Sequence, residues 1–290
     1  MALDGCAIRV GLVGASIGYG WGSGVHRRVI QHLPGFALTG VCTTREESAR
    51  AAAREFDAPL WFTDGVALAQ HPDIDLVAIC VKAPHHYSIA KAALSAGKHV
   101  YCEWPLSTDV EQSGELATLA AKHGVKAVIG LHLRGAAAMR QASALIANGH
   151  IGKVYGVSVS ARVFGPIMRS MATRSGGTTL LSIYGGHLLD AVDYYFGGID
   201  DIVMRGAIHL PPVDETGAGV DRDAFDHLQF HGTLNAGALF NVDVAGVSIG
   251  AMGSAWRIDG SEGALMLSTR DPSLPAIESL VLHDVRSGIA

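Results

Sequence analysis

The sequence lacks an apolar run long enough to cross a bilayer, and it lacks a block of basic residues. Its longest apolar runs, such as 76–81, fall far short of the roughly 20 residues that a membrane-spanning helix needs. The formal net charge is −5, whereas nucleic acids and anionic membrane surfaces attract concentrated positive charge. We therefore expect neither a nucleic acid nor a membrane as a partner.

Cysteine is scarce, and the potential metal ligands show no common metal-site spacing. The four cysteines form no C-x-x-C pair and the fourteen histidines form no H-E-x-x-H motif, so no metal site is expected. Cys42, Cys80 and Cys102 fall in or beside predicted strands, where cysteine behaves as a small apolar residue. A glycine-rich loop begins almost at the first residue, so no signal peptide is expected. These features predict a cytoplasmic protein with reduced thiols.

The bulk composition is that of a compact protein. The chain has 290 residues, of which 49% are hydrophobic and 17% are charged, so it can bury two sizeable cores and is not disordered. No internal repeat or low-complexity linker interrupts it. We expect two domains, with a boundary near residue 130.

The most informative motif lies at the start of the chain. A short apolar run, 8–13, is followed at once by a glycine-dense segment, 14–22. A strand followed by such a segment predicts a phosphate-binding loop, because glycine lets the chain turn sharply and lets a diphosphate approach the backbone. The usual G-x-G-x-x-G pattern is broken by Ser16 and Tyr19, and further glycines make a longer loop. The alternative interpretation is a glycine-rich turn that binds no ligand.

Strand and helix patterns alternate from this loop to about residue 130. The strand patterns cover 36–43, 61–63, 75–81, 98–101 and 125–131. The helix patterns cover 24–32, 45–56, 65–69, 84–96 and 107–123, with Asp64 and Ser107 as predicted N-caps. This alternation predicts an α/β domain over 1–130, a Rossmann-type doubly wound parallel sheet that binds a nucleotide.

The pattern changes in the second half, 131–290. A helix pattern covers 137–148, and another helix lies within 176–196. The strand patterns cover 153–163, 202–208, 227–234, 237–244, 255–259 and 264–268. They predict an α+β domain with an open, mainly antiparallel sheet, for substrate binding and oligomerisation. Strands 237–244 and 255–259 carry apolar residues that we assign to both faces, which predicts a homodimer or homotetramer through this sheet.

The end of the second strand bears on the choice of cofactor. NAD-selective domains carry an acidic residue there to bind the ribose 2′-hydroxyl, but this chain has Thr43, Thr44 and Arg45. Two hydroxyls and a guanidinium suit a 2′-phosphate, so NADP is favoured over NAD. The alternative is that Thr44 only starts the next helix and Arg45 points to solvent. Glu46 and Glu47 weaken the case for NADP.

The motifs together resemble those of the Gfo/Idh/MocA oxidoreductases, over almost the whole chain. The matching stretches are the glycine loop, 83–86, 103–105 (Glu-Trp-Pro), 149–152 and 186–190 (Gly-His-Leu-Leu-Asp). Within that family the chain is most similar to the subgroup of the yeast galactose-pathway repressor. The residues that support this are 14–16, 20–21, 103–104, 184–187 and 226–234.

This resemblance implies an NAD(P)-dependent oxidoreductase whose substrate is a sugar, polyol or related small carbonyl compound. The residues that we assign to the dinucleotide are Gly14, Ser16, Ile17, Gly20, Trp21, Thr43, Thr44, Arg45, Ala83, His86, Glu103 and Trp104. The residues that we assign to the substrate are Trp104, Tyr184, His187 and Asp190. The alternative function is a catalytically inactive dinucleotide-binding regulator or sensor, which the likeness to the repressor implies.

Two positions depart from the pattern of the enzymatic family members. The family's usual lysine is replaced by Trp104, and the usual aspartate four residues before the histidine is replaced by Ile183. Only His187 remains of the three groups, and an imidazole with a pKa near 6.5 can serve as acid or base. We expect His187 to be catalytic.

Other groups near this motif have open roles. Tyr184 and Lys82 are assigned as helpers of the acid/base step, with His86 as a further possibility. The alternative for His187 is a helix histidine that bonds a backbone carbonyl. Asp190, one helical turn on, either holds the imidazole ring or pairs locally.

Overall fold

The computed structural model describes residues 7–18, 20–163, 171–212, 218–247, 253–269 and 280–285. The chain divides into two compact units, residues 1–130 and 131–290. None of the described helices is long and apolar enough to cross a membrane.

The first unit is built on a six-stranded sheet in the order β3-β2-β1-β4-β5-β6. Its strands are β1 (Ile8–Val13), β2 (Phe36–Cys42), β3 (Leu60–Phe62), β4 (Leu76–Ile79), β5 (His99–Glu103) and β6 (Ala127–Gly130). Each adjacent pair is parallel. The strand order reverses between β1 and β4, and in such sheets ligands bind beyond the carboxyl ends of the strands at that reversal. The predicted Rossmann domain is confirmed.

Helices cover both faces of this sheet. They are α1 (Arg27–His32), α2 (Glu46–Glu55), α3 (Gly65–Gln70), α4 (His86–Ser95) and α5 (Val110–His123). Neighbouring residues of β1 belong to different apolar clusters, since Leu12 packs in one and Val13 in the other. A strand that is buried on both faces reads as the continuous apolar run seen in the sequence.

The caps of two helices test the sequence more finely. Asp64 caps α3 as predicted, because its carboxylate accepts a hydrogen bond from the backbone N–H of Val66 at 2.9 Å. The prediction that Ser107 caps α5 is wrong. Asp109 caps that helix, because its carboxylate accepts hydrogen bonds from the backbone N–H groups of Glu111 and Gln112 at 2.8 and 3.1 Å. The Ser107 hydroxyl lies 2.7 Å from that of Ser113 instead.

The described cysteines are free and lie in this unit. Cys42 is in β2, Cys102 is in β5, and Cys80 directly follows β4. Burial raises the pKa of the Cys42 thiol to about 12 and raises the pKa values of the other two. They therefore pack as small neutral residues, as their positions in the sequence indicate.

The second unit is built on a seven-stranded sheet in the order β13-β12-β11-β7-β10-β9-β8. Its strands are β7 (Val154–Arg162), β8 (Ile199–Ala207), β9 (His227–Leu234), β10 (Leu239–Ala245), β11 (Gly253–Gly260), β12 (Ala264–Thr269) and β13 (Leu280–Val285). The pair β7–β10 is parallel and the other described pairs are antiparallel. The predicted α+β domain is confirmed, whereas β13 was not predicted.

Two helices, α6 (Ala137–Ala147) and α7 (Gly186–Tyr195), belong to the apolar core of this unit. Met139 of α6 and Leu188 of α7 share that core with Trp256 of β11. A 3₁₀ turn, His132–Gly135, leads into α6, and a π-helical turn, Leu181–Gly185, leads into α7.

The strands β10 and β11 alternate between buried and more exposed residues. In β10, Val242 and Val244 are buried, whereas Asp243 between them carries a salt bridge to Arg162 at 2.9 Å. The outer face of these strands is therefore mixed, since it is polar at Asn241 and Asp243 but also carries Leu239 and Ala255. A homodimer or homotetramer through this sheet stays a prediction, which light scattering can test.

Candidate functional site

Two positions of the glycine loop can only be glycine. Gly14 turns the chain after β1 with a φ of +93°, and a Cβ there would lie 2.2 Å from the carbonyl oxygen of Cys80. At Gly22, in the π-helical turn before α1, a Cβ would lie 2.3 Å from the carbonyl oxygen of Gly14. Main-chain atoms cannot withdraw as a side chain can. Gly22 therefore permits the close strand–helix packing that the third glycine of the usual motif provides.

The outer part of the loop is open. Gly18 and Gly20 have φ angles of +70° and +74°, and no atom lies within 4 Å of where a Cβ would be. Ser16 is half-buried, whereas Ile17 and Trp21 are exposed. Tyr19 lies outside the described residues. The main chain here has the sharp turn and the free space that a dinucleotide diphosphate requires.

The end of β2 separates the three residues assigned to a 2′-phosphate. Thr43 is buried, and its hydroxyl donates to the carbonyl oxygen of Arg45 at 3.1 Å. Thr44 and Arg45 are exposed. The neighbouring Glu46 pairs with Arg50 at 2.8 Å. Among the described residues, no acidic side chain forms a salt bridge with the Arg45 guanidinium. Thr44 and Arg45 can reach a ligand, while Thr43 holds the turn.

Glu103, at the end of β5, is bound from two sides. Its Oε1 lies 2.6 Å from Nε2 of His26 and accepts a hydrogen bond from the Tyr101 hydroxyl at 3.2 Å. Burial, together with the Glu103 charge, raises the pKa of Tyr101. The carboxylate thus ties the helix that follows the glycine loop to β5. Sequence reasoning missed His26, because nothing in its spacing marks it as a partner of Glu103.

A third ligand-type group lies beside this pair. Donor atoms of His26, Cys80 and Glu103 all lie within 4.8 Å of one another, although the sequence shows no metal motif. A metal ion at this position would have to replace the short His26–Glu103 hydrogen bond. His26 and Glu103 therefore already contact each other, and their arrangement does not require an ion.

His86 is buried at the start of α4, where it is 1% exposed. Its Nδ1 lies 2.7 Å from the carbonyl oxygen of Pro105, and its Nε2 lies 2.8 Å from that of Val81. Both ring nitrogens therefore contact the main chain, and the ring joins the end of β4 to the turn after β5. That turn carries Trp104, which is half-buried. The side chain of His86 is thus placed to hold this turn and has no ring nitrogen directed at a ligand.

Two further assigned residues, Lys82 and Ala83, lie between the end of β4 and His86. Ala83 is buried in the 3₁₀ turn Ala83–His85, and Lys82 before it is exposed. Ala83 is thus part of the core at this turn, whereas Lys82 has a flexible, solvated ammonium group.

In the second unit, His187 lies in the first turn of α7 and is 5% exposed. Its ring faces that of His132, with 4.5 Å between the ring centroids and 58° between the planes. Burial, with a smaller contribution from the charge of His132, lowers the pKa of His187 to about 3. His187 is therefore neutral at physiological pH. Sequence reasoning missed His132, which lies on a different element.

Asp190 of α7 pairs with Arg134, which lies in the 3₁₀ turn His132–Gly135. Arg134 Nε donates to Asp190 Oδ2 at 3.0 Å, and Nη2 of the same guanidinium binds Oδ1. The hydrogen bonds to Asp190 raise the pKa of Arg134. Of the two roles considered for Asp190, the structure thus shows a pair with Arg134. Tyr184, in the π-helical turn, is buried within the apolar core.

Comparisons with known proteins match both units. Residues 8–131 match the Gfo/Idh/MocA model, described as an oxidoreductase family with an NAD-binding Rossmann fold. Residues 137–269 match the model of the Gal80p C-terminal domain. The first unit thus matches the Gfo/Idh/MocA oxidoreductase family, and the second matches the C-terminal domain of Gal80p. The first unit accordingly has the NAD-binding Rossmann fold of the Gfo/Idh/MocA family.

Similar proteins include enzymes and a regulator. Dehydrogenase aclE of Aspergillus oryzae is 29% identical over 78% of this chain and 67% of its own length. The galactose/lactose metabolism regulatory protein GAL80 of Kluyveromyces lactis is 27% identical over 79% of this chain and 56% of its own length. The chain thus spans about six-tenths of the length of these relatives.

A solved structure supports the fold. A levoglucosan dehydrogenase in complex with NADH and levoglucosan aligns with a TM-score of 0.81 at 21% identity, over 97% of this chain and 80% of that one. At this identity the likeness shows the shared architecture.

Proposed function

We propose that this chain is an NAD(P)-dependent oxidoreductase of the Gfo/Idh/MocA type that acts on a sugar, polyol or related small carbonyl compound, with His187 as its acid/base. The observation that carries the proposal is the burial of His187 as a neutral imidazole in the first turn of α7. A neutral imidazole can accept the proton that an alcohol loses during oxidation and can return it during reduction.

The first unit fits the dinucleotide that this chemistry needs. When bound, a nicotinamide dinucleotide supplies the hydride acceptor or donor. The loop 14–22 would face its diphosphate, since Gly14 and Gly22 cannot carry a Cβ. Thr44 and Arg45, at the end of β2, would face the ribose, and they suit the 2′-phosphate of NADP better than the 2′-hydroxyl of NAD.

The remaining assigned groups have supporting roles in this proposal. The indole of Trp104 offers a flat apolar surface of the kind on which sugar rings stack. Glu103 and His86 fix the main chain on either side of that indole through their contacts with His26 and with the Pro105 carbonyl. Lys82, which precedes the 3₁₀ turn Ala83–His85, is exposed.

A substrate screen tests the proposal. Levoglucosan, aldoses, polyols and their keto derivatives are incubated with the whole chain and each oxidised or reduced dinucleotide, and the absorbance of reduced nicotinamide is followed. We expect turnover with at least one compound, and His231→Gln, a change at an exposed histidine of β9, should leave it unaltered. Dinucleotide binding without turnover of any compound would overturn the enzymatic proposal.

The choice of NADP has a test of its own. Arg45→Ala should weaken NADPH binding by about 1–2 kcal/mol and leave NADH binding nearly unchanged, because one charge-assisted contact to phosphate is lost. Arg54→Ala, at an exposed arginine in the last turn of the same helix, is the matched control. Equal losses for both dinucleotides in Arg45→Ala would show that Arg45 has a structural role.

A second candidate function is a dinucleotide-binding regulator without catalysis. It is favoured by the apolar residues Trp104 and Ile183 at the positions of the family's lysine and aspartate, and by the similarity to GAL80. A regulator would bind the dinucleotide through the same glycine loop and would keep that affinity in His187→Ala. The screen above separates the two functions, since only the enzyme changes the absorbance of nicotinamide.

A further inference from the structure

A second histidine stands against the proposed acid/base. The rings of His132 and His187 are 4.5 Å apart between centroids. The first belongs to the 3₁₀ turn His132–Gly135 and the second to α7. The ring of His132 is thus a titratable group in contact with the ring of His187.

The turn that carries His132 is clamped onto α7. Arg134 binds Asp190 with two hydrogen bonds. The Tyr195 hydroxyl donates to the carbonyl oxygens of Leu133 and Arg134 at 3.2 and 2.7 Å. The Arg134 guanidinium also lies 4.5 Å from the centre of the Tyr194 ring. These contacts fix the residues on either side of the turn, so the two imidazoles are held in one arrangement.

The two rings differ in their access to water. His187 is 5% exposed, whereas His132 is half-buried. A proton that arrives on His187 is costly there, because burial penalises the charged ring. It must leave before the next turnover, and the imidazole of His132, a residue that is half-buried as a whole, is the adjoining proton acceptor.

We propose that His132 is a positioning residue that acts through His187 and carries its proton to and from water. This inference rests on the proposed oxidoreductase function. In the oxidation direction, a bound NAD(P)⁺ would supply the acceptor for the hydride of the substrate's C–H bond. The hydroxyl proton passes to His187, then to His132, and then to water. In reduction the same proton travels the opposite way, so atoms and charge balance in both directions.

The groups around His187 define what a pH profile will report. His132 contacts the ring, Arg134 lies on the same turn as His132, and Asp190 and Tyr184 lie on α7 and its π-helical turn. Arg134 and Asp190 compensate each other as an ion pair. Removal of His132 removes the charge that adds to burial in lowering the pKa of His187.

The test compares His132→Gln, His187→Gln and the double variant, using the compound identified in the substrate screen. Glutamine keeps a polar side chain but cannot carry a proton. We expect kcat to fall about 10-fold in His132→Gln with little change in KM, and by 10²–10⁴ in His187→Gln. The double variant should be no slower than His187→Gln, because a residue that acts through His187 has no effect once that ring is gone.

The pH profile separates proton transfer from packing. In His132→Gln the acidic limb of the oxidation rate should move to higher pH, because His187 is then protonated more easily. His231→Gln should leave both kcat and the limb unchanged. A titration of the ring C–H signals by NMR should show the same upward shift for His187 without any substrate.

The outcomes distinguish the two proposals. A wild-type chain that turns over no compound would overturn the enzymatic function and this inference together. Turnover by the wild type, with an unchanged rate and acidic limb in His132→Gln, would overturn the role of His132 alone. A double variant much slower than His187→Gln would assign His132 a structural role and would also overturn the proposal.

Discussion

The two units present their candidate functional groups in different ways. In the first unit the main chain forms the surface, since the loop 14–22 relies on glycines whose Cβ atoms would collide with carbonyl oxygens. In the second unit side chains form it, since His132 and His187 face each other between a turn and a helix. The first arrangement depends on consecutive residues, and the second depends on residues that packing brings together.

The buried histidines show the same difference. His86 of the first unit contacts main-chain carbonyl oxygens through both ring nitrogens. His187 of the second unit is almost as deeply buried, but its ring contacts another imidazole, and its pKa is lowered to about 3. Burial alone therefore does not mark a histidine as functional. The contacts described for His86 are with fixed carbonyl oxygens, whereas the contact described for His187 is with another titratable group.

The largest expected effect comes from loss of the His187 ring. His187→Ala should lower kcat by about 10²–10⁴, the range for a positioned acid or base, and leave dinucleotide affinity nearly unchanged. Steady-state kinetics and fluorescence titration with the dinucleotide measure the two quantities. A fully active variant would transfer the acid/base role to Tyr184, Lys82 or water, and would remove the contrast between the two buried histidines.

Acid should destabilise the fold through the same ring. Since the pKa of His187 is about 3 in the folded chain and 6.5 in the unfolded chain, the unfolded state binds the proton more readily between these values. Stability is then highest above pH 6.5 and falls as the pH drops towards 3, by roughly 3–5 kcal/mol. Urea unfolding at a series of pH values measures this loss.

The control for the acid effect is His187→Gln, which cannot titrate. Asp75, whose pKa is lowered to about 2 by hydrogen bonds from Arg9, loses its stabilising charge at still lower pH in both proteins. The difference between the two curves thus isolates His187. Parallel curves between pH 6.5 and 4 would contradict the low pKa.

A smaller effect is expected from a methyl group in the first unit. Gly22→Ala places a Cβ 2.3 Å from the carbonyl oxygen of Gly14, so the strand and helix must separate at a cost of about 2–3 kcal/mol. We also expect weaker dinucleotide binding. Gly24→Ala is the matched control, because its Cβ would meet no atom within 4 Å, and it should be neutral or stabilising by up to about 1 kcal/mol. Equal stabilities would show that the loop does not need Gly22.

The smallest expected effect concerns His86. His86→Ala removes the contacts to the carbonyl oxygens of Pro105 and Val81, which should lower the free energy of unfolding by about 2 kcal/mol. The neighbouring His85 is exposed, and His85→Ala should change stability by less than about 0.5 kcal/mol. If His86→Ala instead kept full stability and lost only dinucleotide affinity, the ring would be a ligand contact after all.

The sequence predicted the fold well where the signal was local. The first unit has continuous apolar runs, because its strands are buried on both faces. The second unit has alternating patterns, because its strands are buried on one face. Each pattern indicated its sheet. It predicted less well where neighbours compete, as when Asp109 displaced Ser107 as the cap of α5. The strand β13 was not predicted. The polar residues on the outer face of β10 were missed as well, because apolar content was assigned to that strand without regard to the alternation of its side chains.

By itself, then, the sequence determined the two units and the glycine loop after β1, and it singled out His187 as a candidate, because each depends on residues adjacent in the chain or on a motif of fixed spacing. Only the tertiary structure decided the pairs His26–Glu103, Arg134–Asp190 and His132–His187. Each joins side chains from separate elements, and such contacts depend on how the elements pack, for which no local pattern exists. The low pKa of His187 belongs to this second group, since it arises from burial and a neighbouring charge.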